Sequence, residues 1–247
     1  MKDYPFVLSP WPGLSILIVY LLIVLKIGPA FMKNRKPYNL KLVICIYNLC
    51  QVLLNFRIFI MYGIIMSENF SLMCQPTDST IVDPHMQMLL KAMSLYNLSK
   101  YADLLDSIFF TLRKKTSQLS FLHLYHHTFM VVVCYLIMRN YAGSHVIFSG
   151  MINALVHVIM YFYYFLTSYN PELAKQLWWK KYLTLLQIIQ FGISFCHFGL
   201  PLLQPGCKVP TTICFIGMTL TASMTAMFSE FYIGAYARPK KKAPKLQ

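Results

Sequence analysis

Long apolar runs separated by short polar segments dominate the sequence, and they predict a polytopic membrane protein. A helix that crosses a bilayer needs about 20 mostly apolar residues. The candidate spans lie near residues 14–32, 40–66, 85–112, 120–138, 146–168, 182–203 and 211–236. We therefore predict one all-α domain, residues 1–247, with seven transmembrane helices, and six helices as the main alternative. The third span is the most polar of the seven.

Basic residues between the spans give the bundle an orientation. In the seven-helix arrangement, 15 Lys and Arg residues lie on one side of the membrane and 4 on the other. The positive-inside rule assigns the basic side to the cytosol. Because only an odd number of helices separates the charges in this way, we predict a lumenal N-terminus and a cytosolic C-terminus. The segment 237–247 would then be a basic cytosolic tail.

The composition supports a membrane protein and narrows the classes of function. Hydrophobic residues make up 57% of the chain and charged residues 12%, with a formal net charge of +14, and the mean hydropathy is +0.53. Soluble domains carry about 25% charged residues. In so apolar a chain, the basic excess indicates a cytosolic membrane face or an anionic ligand. We expect no nucleic-acid partner, because nucleic-acid binders carry such charge on a soluble domain.

Two of the 7 cysteines fall in predicted lumenal loops. Cys74 follows the second span, and Cys207 precedes the seventh. Disulfides persist in oxidising compartments, so a Cys74–Cys207 bridge is one hypothesis and two free thiols are the other. The sequon that begins at Asn69 lies in the same loop as Cys74, where glycosylation is allowed.

Polar and ionisable residues lie inside four of the predicted spans, where hydrocarbon makes them costly. Within each group the residues are three or four positions apart and so share a helical face. The groups are Lys100, Asp103, Asp106 and Ser107; His123, His126 and His127; Asn153, His157 and Tyr161; and Thr184, Gln187 and Gln190. Since such faces must meet one another or a water-filled cavity, we predict a bundle that encloses a polar chamber.

Each group also has a simpler structural interpretation. The group around Lys100 would form a buried ion-pair ladder between two helices, and the glutamines would join helices by hydrogen bonds. The three histidines of residues 123–127 would be satisfied core residues, metal ligands, or a nucleophile with its base. His157 with its aromatic neighbours would be a packed core residue. These alternatives stay open on the residues alone.

The same four groups carry a resemblance to a known family. HLYHH at residues 123–127 resembles the H-x-x-H-H box of fatty acid elongases, the membrane condensing enzymes that extend acyl-CoA. KYADLLDS resembles the family's K-x-x-E-x-x-D-T, NALVHVIMYFYY its N-x-x-x-H-x-x-M-Y-x-Y-Y, and TLLQIIQ its T-x-x-Q-x-x-Q. The segments follow the family's order between about Leu14 and Lys242. Asp103 stands where Glu is usual and Ser107 where Thr is usual, so the charge and the hydroxyl are kept.

The resemblance implies a reaction, a place and partners. The expected reaction condenses a long-chain acyl-CoA with malonyl-CoA to 3-oxoacyl-CoA, CoA and CO₂, without a metal ion or other cofactor. The expected place is the endoplasmic reticulum membrane, with an apolar acyl tunnel in the lumenal half of the bundle. Reductases and a dehydratase would complete the elongation cycle. A homodimer, the chain length and the unsaturation of the substrate are left open.

The histidines and one carboxylate are the expected catalytic residues. In a ping-pong route, His126 would attack the acyl thioester and hold the acyl group, and the enolate from malonyl-CoA would then attack it. His157 would orient or stabilise the developing oxyanion, or share the role of acyl carrier. His123 and His127 would set the tautomer of His126, and Asp106 would orient an imidazole.

The remaining polar residues would bind substrate. They are Lys100, Asp103, Tyr161, Gln187, Gln190 and Asn153. Asn153 is also an expected catalytic residue. The amides would donate to a thioester or enolate oxygen, while Lys100 and Asp103 would balance the charge of Asp106. At the cytosolic mouth, Lys115 and Lys180 are candidates for the phosphates of CoA, although membrane topology alone predicts basic residues there.

Two other classes of function compete with a condensing enzyme. Di-iron membrane desaturases and hydroxylases also use histidine boxes, but only four of the 7 histidines are well placed here. A non-enzymatic seven-span transporter or receptor is the other alternative. Against it, the chain lacks the spans broken by Gly and Pro that transporters commonly use at their midplane sites.

Overall fold

The structure is a computed structural model that describes residues 9–68, 70–76, 84–141, 145–170, 172 and 179–237. The predicted glycosylation site at Asn69 and the basic tail beyond Ala237 lie outside the described residues. Every regular element in the described chain is a helix. The predicted all-α membrane bundle is therefore confirmed.

We number the helices α1 to α8 along the chain. They are α1 (Trp11–Met32), α2 (Lys41–Ser67), α3 (Pro84–Asp103), α4 (Leu105–Leu112), α5 (Phe121–Asn140), α6 (Val146–Tyr169), α7 (Lys180–Leu203) and α8 (Thr211–Ala237). Six of them, all but α3 and α4, are long and apolar enough to cross a membrane. Only Leu104 separates α3 from α4. The two together make up the third predicted span, which is too polar to count among the six apolar helices.

The main apolar core lies between α2, α3, α6, α7 and α8. One cluster of buried side chains joins these helices and includes Ile58, Met93, Ala154, Phe198 and Ile213. α6 is the most enclosed of the six apolar helices, with 50% of its most apolar segment buried against 22% in α1 and in α5. The helix that carries Asn153 and His157 is therefore also the central helix of the bundle.

α1 packs outside this core, against α3, α4 and α5. Its buried residues form a second cluster with Leu104 and Val131. Two glycines allow the close approach, since a Cβ on Gly13 would lie 2.5 Å from the Tyr101 hydroxyl and one on Gly28 would lie 2.6 Å from Cγ2 of Thr111. α1 is therefore attached to the later part of the third predicted span, from Tyr101 to Thr111.

A disulfide joins Cys74 and Cys207, the two cysteines predicted to lie in lumenal loops. Their Cα atoms are 5.8 Å apart, and the bridge connects the segment after α2 to the segment before α8. Lys115, after α4, and Lys180, at the start of α7, are exposed at the opposite end of these antiparallel helices. The disulfide and the basic mouth thus mark the two ends of the bundle.

Two histidines outside the motif groups fasten α6 to α7 near the disulfide end. His145 and His197 are buried with their rings stacked at 3.7 Å. Nε2–H of His145 donates to the carbonyl oxygen of His197 at 2.8 Å, and Nε2–H of His197 donates to the carbonyl oxygen of His145 at 2.9 Å. Pro201 lies four residues after His197 and has no backbone N–H. The imidazole of His145 therefore replaces the helical donor that this carbonyl lacks.

We expect His145→Ala to lower the melting temperature of the detergent-purified protein. The substitution leaves the buried carbonyl of His197 without a donor, which costs about 1–3 kcal/mol. Ser223→Ala is the control, because Ser223 donates only within its own helix. Equal melting temperatures for the two variants would contradict this account of His145.

Candidate active site

A buried lysine connects α3 to α6 inside the bundle. Lys100 is only 2% exposed, and its Nζ lies 3.4 Å from Oδ2 of Asp103. It also donates to Oδ1 of Asn153 at 3.1 Å and lies 3.5 Å from Nε2 of His157. The structure thus brings together four residues that the sequence placed in two separate groups.

The carboxylate of Asp103 extends this network to α2. Its Oδ1 accepts hydrogen bonds from Nε2 of Gln51 at 2.7 Å and from the hydroxyl of Tyr161 at 2.8 Å. The same Tyr161 hydroxyl lies 2.8 Å from Oδ2 of Asp106. Both carboxylate oxygens of Asp103 therefore have protein partners. The contacts of Asp103 and Tyr161 hold helices together, as the ion-pair ladder expected around Lys100 would do.

The first histidine of the box is fixed by hydroxyl groups. Oγ of Ser120 accepts a hydrogen bond from the backbone N–H of His123 and so caps the start of α5. On the side-chain side, Nε2 of His123 lies 2.8 Å from Oγ of Ser107, which lies 2.8 Å from the hydroxyl of Tyr20. A chain of hydrogen bonds therefore runs from α1 through α4 to the histidine box.

The three imidazoles of the box contact one another through their rings. The ring centroids of His123 and His127 are 4.2 Å apart, and those of His126 and His127 are 5.4 Å apart. Within the described chain, no group of three or more His, Cys, Asp or Glu side chains is placed to hold one metal ion.

The role expected for Asp106 needs correction. The sequence predicted that Asp106 orients an imidazole, but its carboxylate contacts Tyr161, and Ser107 is the residue that holds His123. Consecutive residues of an α-helix point about 100° apart. Asp106 therefore faces α6, while Ser107 faces α1 and α5.

A cavity of about 100 Å³ opens beside this network. Its polar lining includes His126, Asn153 and Gln190, and most of the rest is apolar. On α5 the lining extends from His126 to Met138, and on α7 from Gln190 to Phe198. α6 is antiparallel to both, and there the lining extends from Asn153 back to Val146. The cavity therefore has one polar end and an apolar part that extends toward the disulfide end. His126 and Met138 are twelve positions apart, which corresponds to about 18 Å of helix.

Several predicted site residues lie outside the cavity lining. His157 is held at the Lys100 network, with its Nδ1 3.7 Å from Oδ2 of Asp103. Gln187 donates to the sulfur of Met160 at 3.5 Å, so only the second of the two glutamines faces the cavity. Lys180 precedes Gln190 by ten residues, or about 15 Å of helix.

Sequence reasoning missed the contribution of α2 and of two tyrosines. Asn48, Gln51 and Asn55 are each at most 2% exposed and recur at helical spacing, which is the signal that marks the other groups. Tyr20 and Tyr96 carry no such signal, because isolated tyrosines are common in membrane helices. The Tyr96 hydroxyl donates to Oδ1 of Asn153 at 2.8 Å.

These observations define an integral membrane protein whose histidine-bearing polar site lies within a helical bundle, beside a cavity with one polar end. Its family can be stated as well. The chain belongs to the ELO (GNS1/SUR4) family, whose family model matches residues 5–244. The membership predicted from the motifs is therefore confirmed.

Curated relatives cover nearly the whole chain. Very long chain fatty acid elongase 4 of Homo sapiens is 40% identical over 244 residues, which is 98% of this chain and 76% of the human protein. Very long chain fatty acid elongase F of Drosophila simulans is 39% identical over 249 residues, covering 98% of this chain and 93% of that protein. The Drosophila melanogaster protein of the same name is 39% identical over 247 residues, with 98% and 95% covered.

We expect Gln51→Leu to destabilise the bundle by about 1.5–3 kcal/mol, the range for hydrogen bonds to charged groups. Leucine has a similar volume but removes the donor to the buried carboxylate of Asp103. The measurement is the fraction of detergent-solubilised protein that stays monodisperse as the temperature is raised. Leu53→Ala is the control on the same helix, because Leu53 is 61% exposed. If Gln51→Leu melts like the control, the contact with Asp103 contributes nothing.

Proposed function

We propose that this protein condenses a long-chain acyl-CoA with malonyl-CoA, which makes it an acyltransferase of the 3-oxoacyl-CoA synthase class. Membership of the ELO family and the elongase names of its relatives support fatty acid elongation. One observation carries the finer proposal. His126 lies at the polar end of a cavity whose remaining lining is mostly apolar, as an acyl thioester requires.

In the first step, an imidazole nitrogen of His126 attacks the carbonyl carbon of the acyl thioester. The carbon–sulfur bond breaks, CoA leaves as its thiol, and the acyl-imidazole keeps the transfer potential of the thioester. Asn153 is oriented for this step, because its Oδ1 already accepts from Tyr96 and Lys100. No acceptor in the described part of the chain binds its NH₂ group, which, with that of Gln190, can donate to the developing oxyanion.

In the second step, malonyl-CoA loses CO₂, and the resulting enolate carbon attacks the acyl carbon. The new carbon–carbon bond forms as the bond to His126 breaks, His126 takes up one proton from solvent to return to the neutral imidazole, and 3-oxoacyl-CoA leaves. His157 is assigned to orientation of the polar network rather than to acyl transfer, because its two ring nitrogens face Lys100 and Asp103. The route uses no cofactor beyond the two CoA substrates, since decarboxylation supplies the carbon nucleophile.

Lys115 and Lys180 are assigned to the phosphates of CoA. Both are exposed at the end of the bundle opposite the disulfide. The helix places Lys180 about 15 Å from Gln190, and a flexible pantetheine arm separates the phosphates of CoA from its thioester. This arrangement supports entry of the thioester from the basic end.

We assign the protein to the endoplasmic reticulum membrane, with a lumenal N-terminus and a cytosolic C-terminus. The disulfide supports this orientation, because it lies at the end of the bundle that the charge distribution places in an oxidising lumen. Both CoA substrates then enter from the cytosol. The 3-oxo product needs a reductase, a dehydratase and a second reductase to return to a saturated chain, and these enzymes are the expected partners.

Exposure to acyl-CoA without malonyl-CoA should add one acyl group to the wild-type protein and none to His126→Ala, as measured by intact mass. His126→Ala should also form no 3-oxo product from labelled malonyl-CoA. Cys134→Ala is the control, since Cys134 is a thiol of the same cavity. An adduct that survives in His126→Ala and disappears in Cys134→Ala would assign the nucleophile to the thiol instead.

Charge reversal at Lys115 or Lys180 should raise KM for acyl-CoA about fivefold while kcat and folded yield stay unchanged. Exposed ion pairs contribute up to about 1 kcal/mol each, and this amount corresponds to about a fivefold change in binding. Lys208→Glu, on the disulfide side, is the matched control. An unchanged KM with reduced yield would indicate that the two lysines serve membrane topology alone.

A further inference from the structure

Three hydroxyl groups line the apolar part of the cavity without a hydrogen-bond partner. They belong to Tyr62 on α2, Ser149 on α6 and Ser194 on α7. Oγ of Ser149 is buried and has no partner, and in the part of the chain that the structure describes the other two hydroxyls have none either. The apolar part of the cavity thus presents hydrogen-bond donors that no group in the described chain accepts.

Several other hydroxyls in this bundle have partners, although the buried Oγ1 of Thr128, outside the cavity lining, has none in the described chain. Serine and threonine in apolar helices usually donate to the carbonyl four residues earlier. Ser94, Thr111, Thr221 and Thr225 all do so, at 2.7–2.8 Å. Ser149 and Ser194 do not make this bond. Their hydroxyls remain available to a molecule in the cavity.

A glycine lets Tyr62 approach α6 one residue away from Ser149. A Cβ on Gly150 would lie 3.1 Å from the Tyr62 ring and 3.6 Å from its hydroxyl oxygen. The tyrosine hydroxyl therefore reaches α6 at Gly150, the residue after Ser149. Tyr62, Ser149 and Ser194 all line the same cavity.

The depth of these hydroxyls follows from helical register. Ser149 lies four residues from Asn153, and Ser194 lies four residues from Gln190, both on the disulfide side. Four residues correspond to about 6 Å of helix. A chain whose thioester is held by Asn153 and Gln190 passes the hydroxyls about 6 Å farther in.

We propose that Tyr62, Ser149 and Ser194 form a subsite for a hydrogen-bond acceptor carried by the acyl chain itself. This inference rests on the proposed function, in which the acyl chain occupies the cavity. Leaving a buried hydroxyl without a partner is unfavourable, so a fully saturated chain is the poorer ligand. The acceptor is an oxygen substituent or, more weakly, the π-electrons of a cis double bond.

Acyl-CoAs of one length should separate these two acceptors. The panel contains the saturated chain, a series with one cis double bond at successive positions, and a series with one hydroxyl at successive positions. We expect the wild-type kcat/KM to peak at one position, by about fivefold over the saturated chain for each hydrogen bond formed. A peak in the hydroxylated series identifies an oxygen acceptor, and a peak in the unsaturated series alone identifies a double bond.

The triple variant Tyr62→Phe, Ser149→Ala, Ser194→Ala removes the donors with little change of shape. It should lose the peak and keep its activity on the saturated chain, whereas Ser223→Ala, outside the cavity, should behave like the wild type. A flat wild-type profile, as expected if the hydroxyls bind only water, overturns the proposal, and so does a peak that survives in the triple variant.

A second measurement separates this inference from the proposed function. The same acyl chains, offered as free fatty acids, should raise the melting temperature of the wild-type protein with the same positional peak. If the protein forms no 3-oxo product but the thermal peak is present and lost in the triple variant, the condensing function fails and the subsite stands. Product formation with no positional peak in either measurement rejects the subsite alone.

Discussion

The buried ammonium of Lys100 is the constraint on which the arrangement of the site depends. A cation inside a membrane bundle is costly unless protein groups replace its water. Asp103 supplies the counter-charge at 3.4 Å, and Asn153 and His157 approach from α6. Because Asp103 must in turn satisfy its own oxygens, Gln51 of α2 is drawn into the same network. One buried charge thereby fixes three helices relative to one another.

This constraint also explains why the polar groups divide into two kinds. Asp103 and Tyr161 point into the network and have protein partners, so they position other groups. Asn153 lies at the boundary, with its oxygen committed to the network and its NH₂ group free for the cavity. Farther along α6, Ser149 has no partner at all. The carboxylates of the network therefore have protein partners, whereas Ser149 presents an unused hydroxyl to the cavity, where a substrate is the remaining partner.

Much of the fold was predictable from the sequence, because apolar length and charge asymmetry are properties of single segments. The helices followed from such patterns and the family from the motifs, whereas the polar residues that were expected in one chamber divide between the Lys100 network and the cavity. The assignment of Asp106 failed for a physical reason. Spacing along one helix does not determine which neighbour a given side chain faces, and the turn at Leu104 intervenes between Lys100 and Asp106. The amides of α2 were detectable by the same spacing, whereas Tyr20 was not, since its role depends on a contact between distant helices.

The geometry of α1 shows how such a contact is achieved. Gly13 and Tyr20 are seven residues apart and so lie on nearly the same face of a helix, but eight α-helical residues from Tyr20 to Gly28 overshoot two turns by about 80°. The π-helical segment Ile23–Ile27 lies between the latter two, and its wider turn absorbs the excess rotation. Gly13, Tyr20 and Gly28 can therefore all face the third span, where Tyr20 meets Ser107 and Gly28 meets Thr111. Without that segment, a helix held at its two glycines would turn Tyr20 away from Ser107. The local distortion of α1, a helix outside the main core, is thus what connects it to His123.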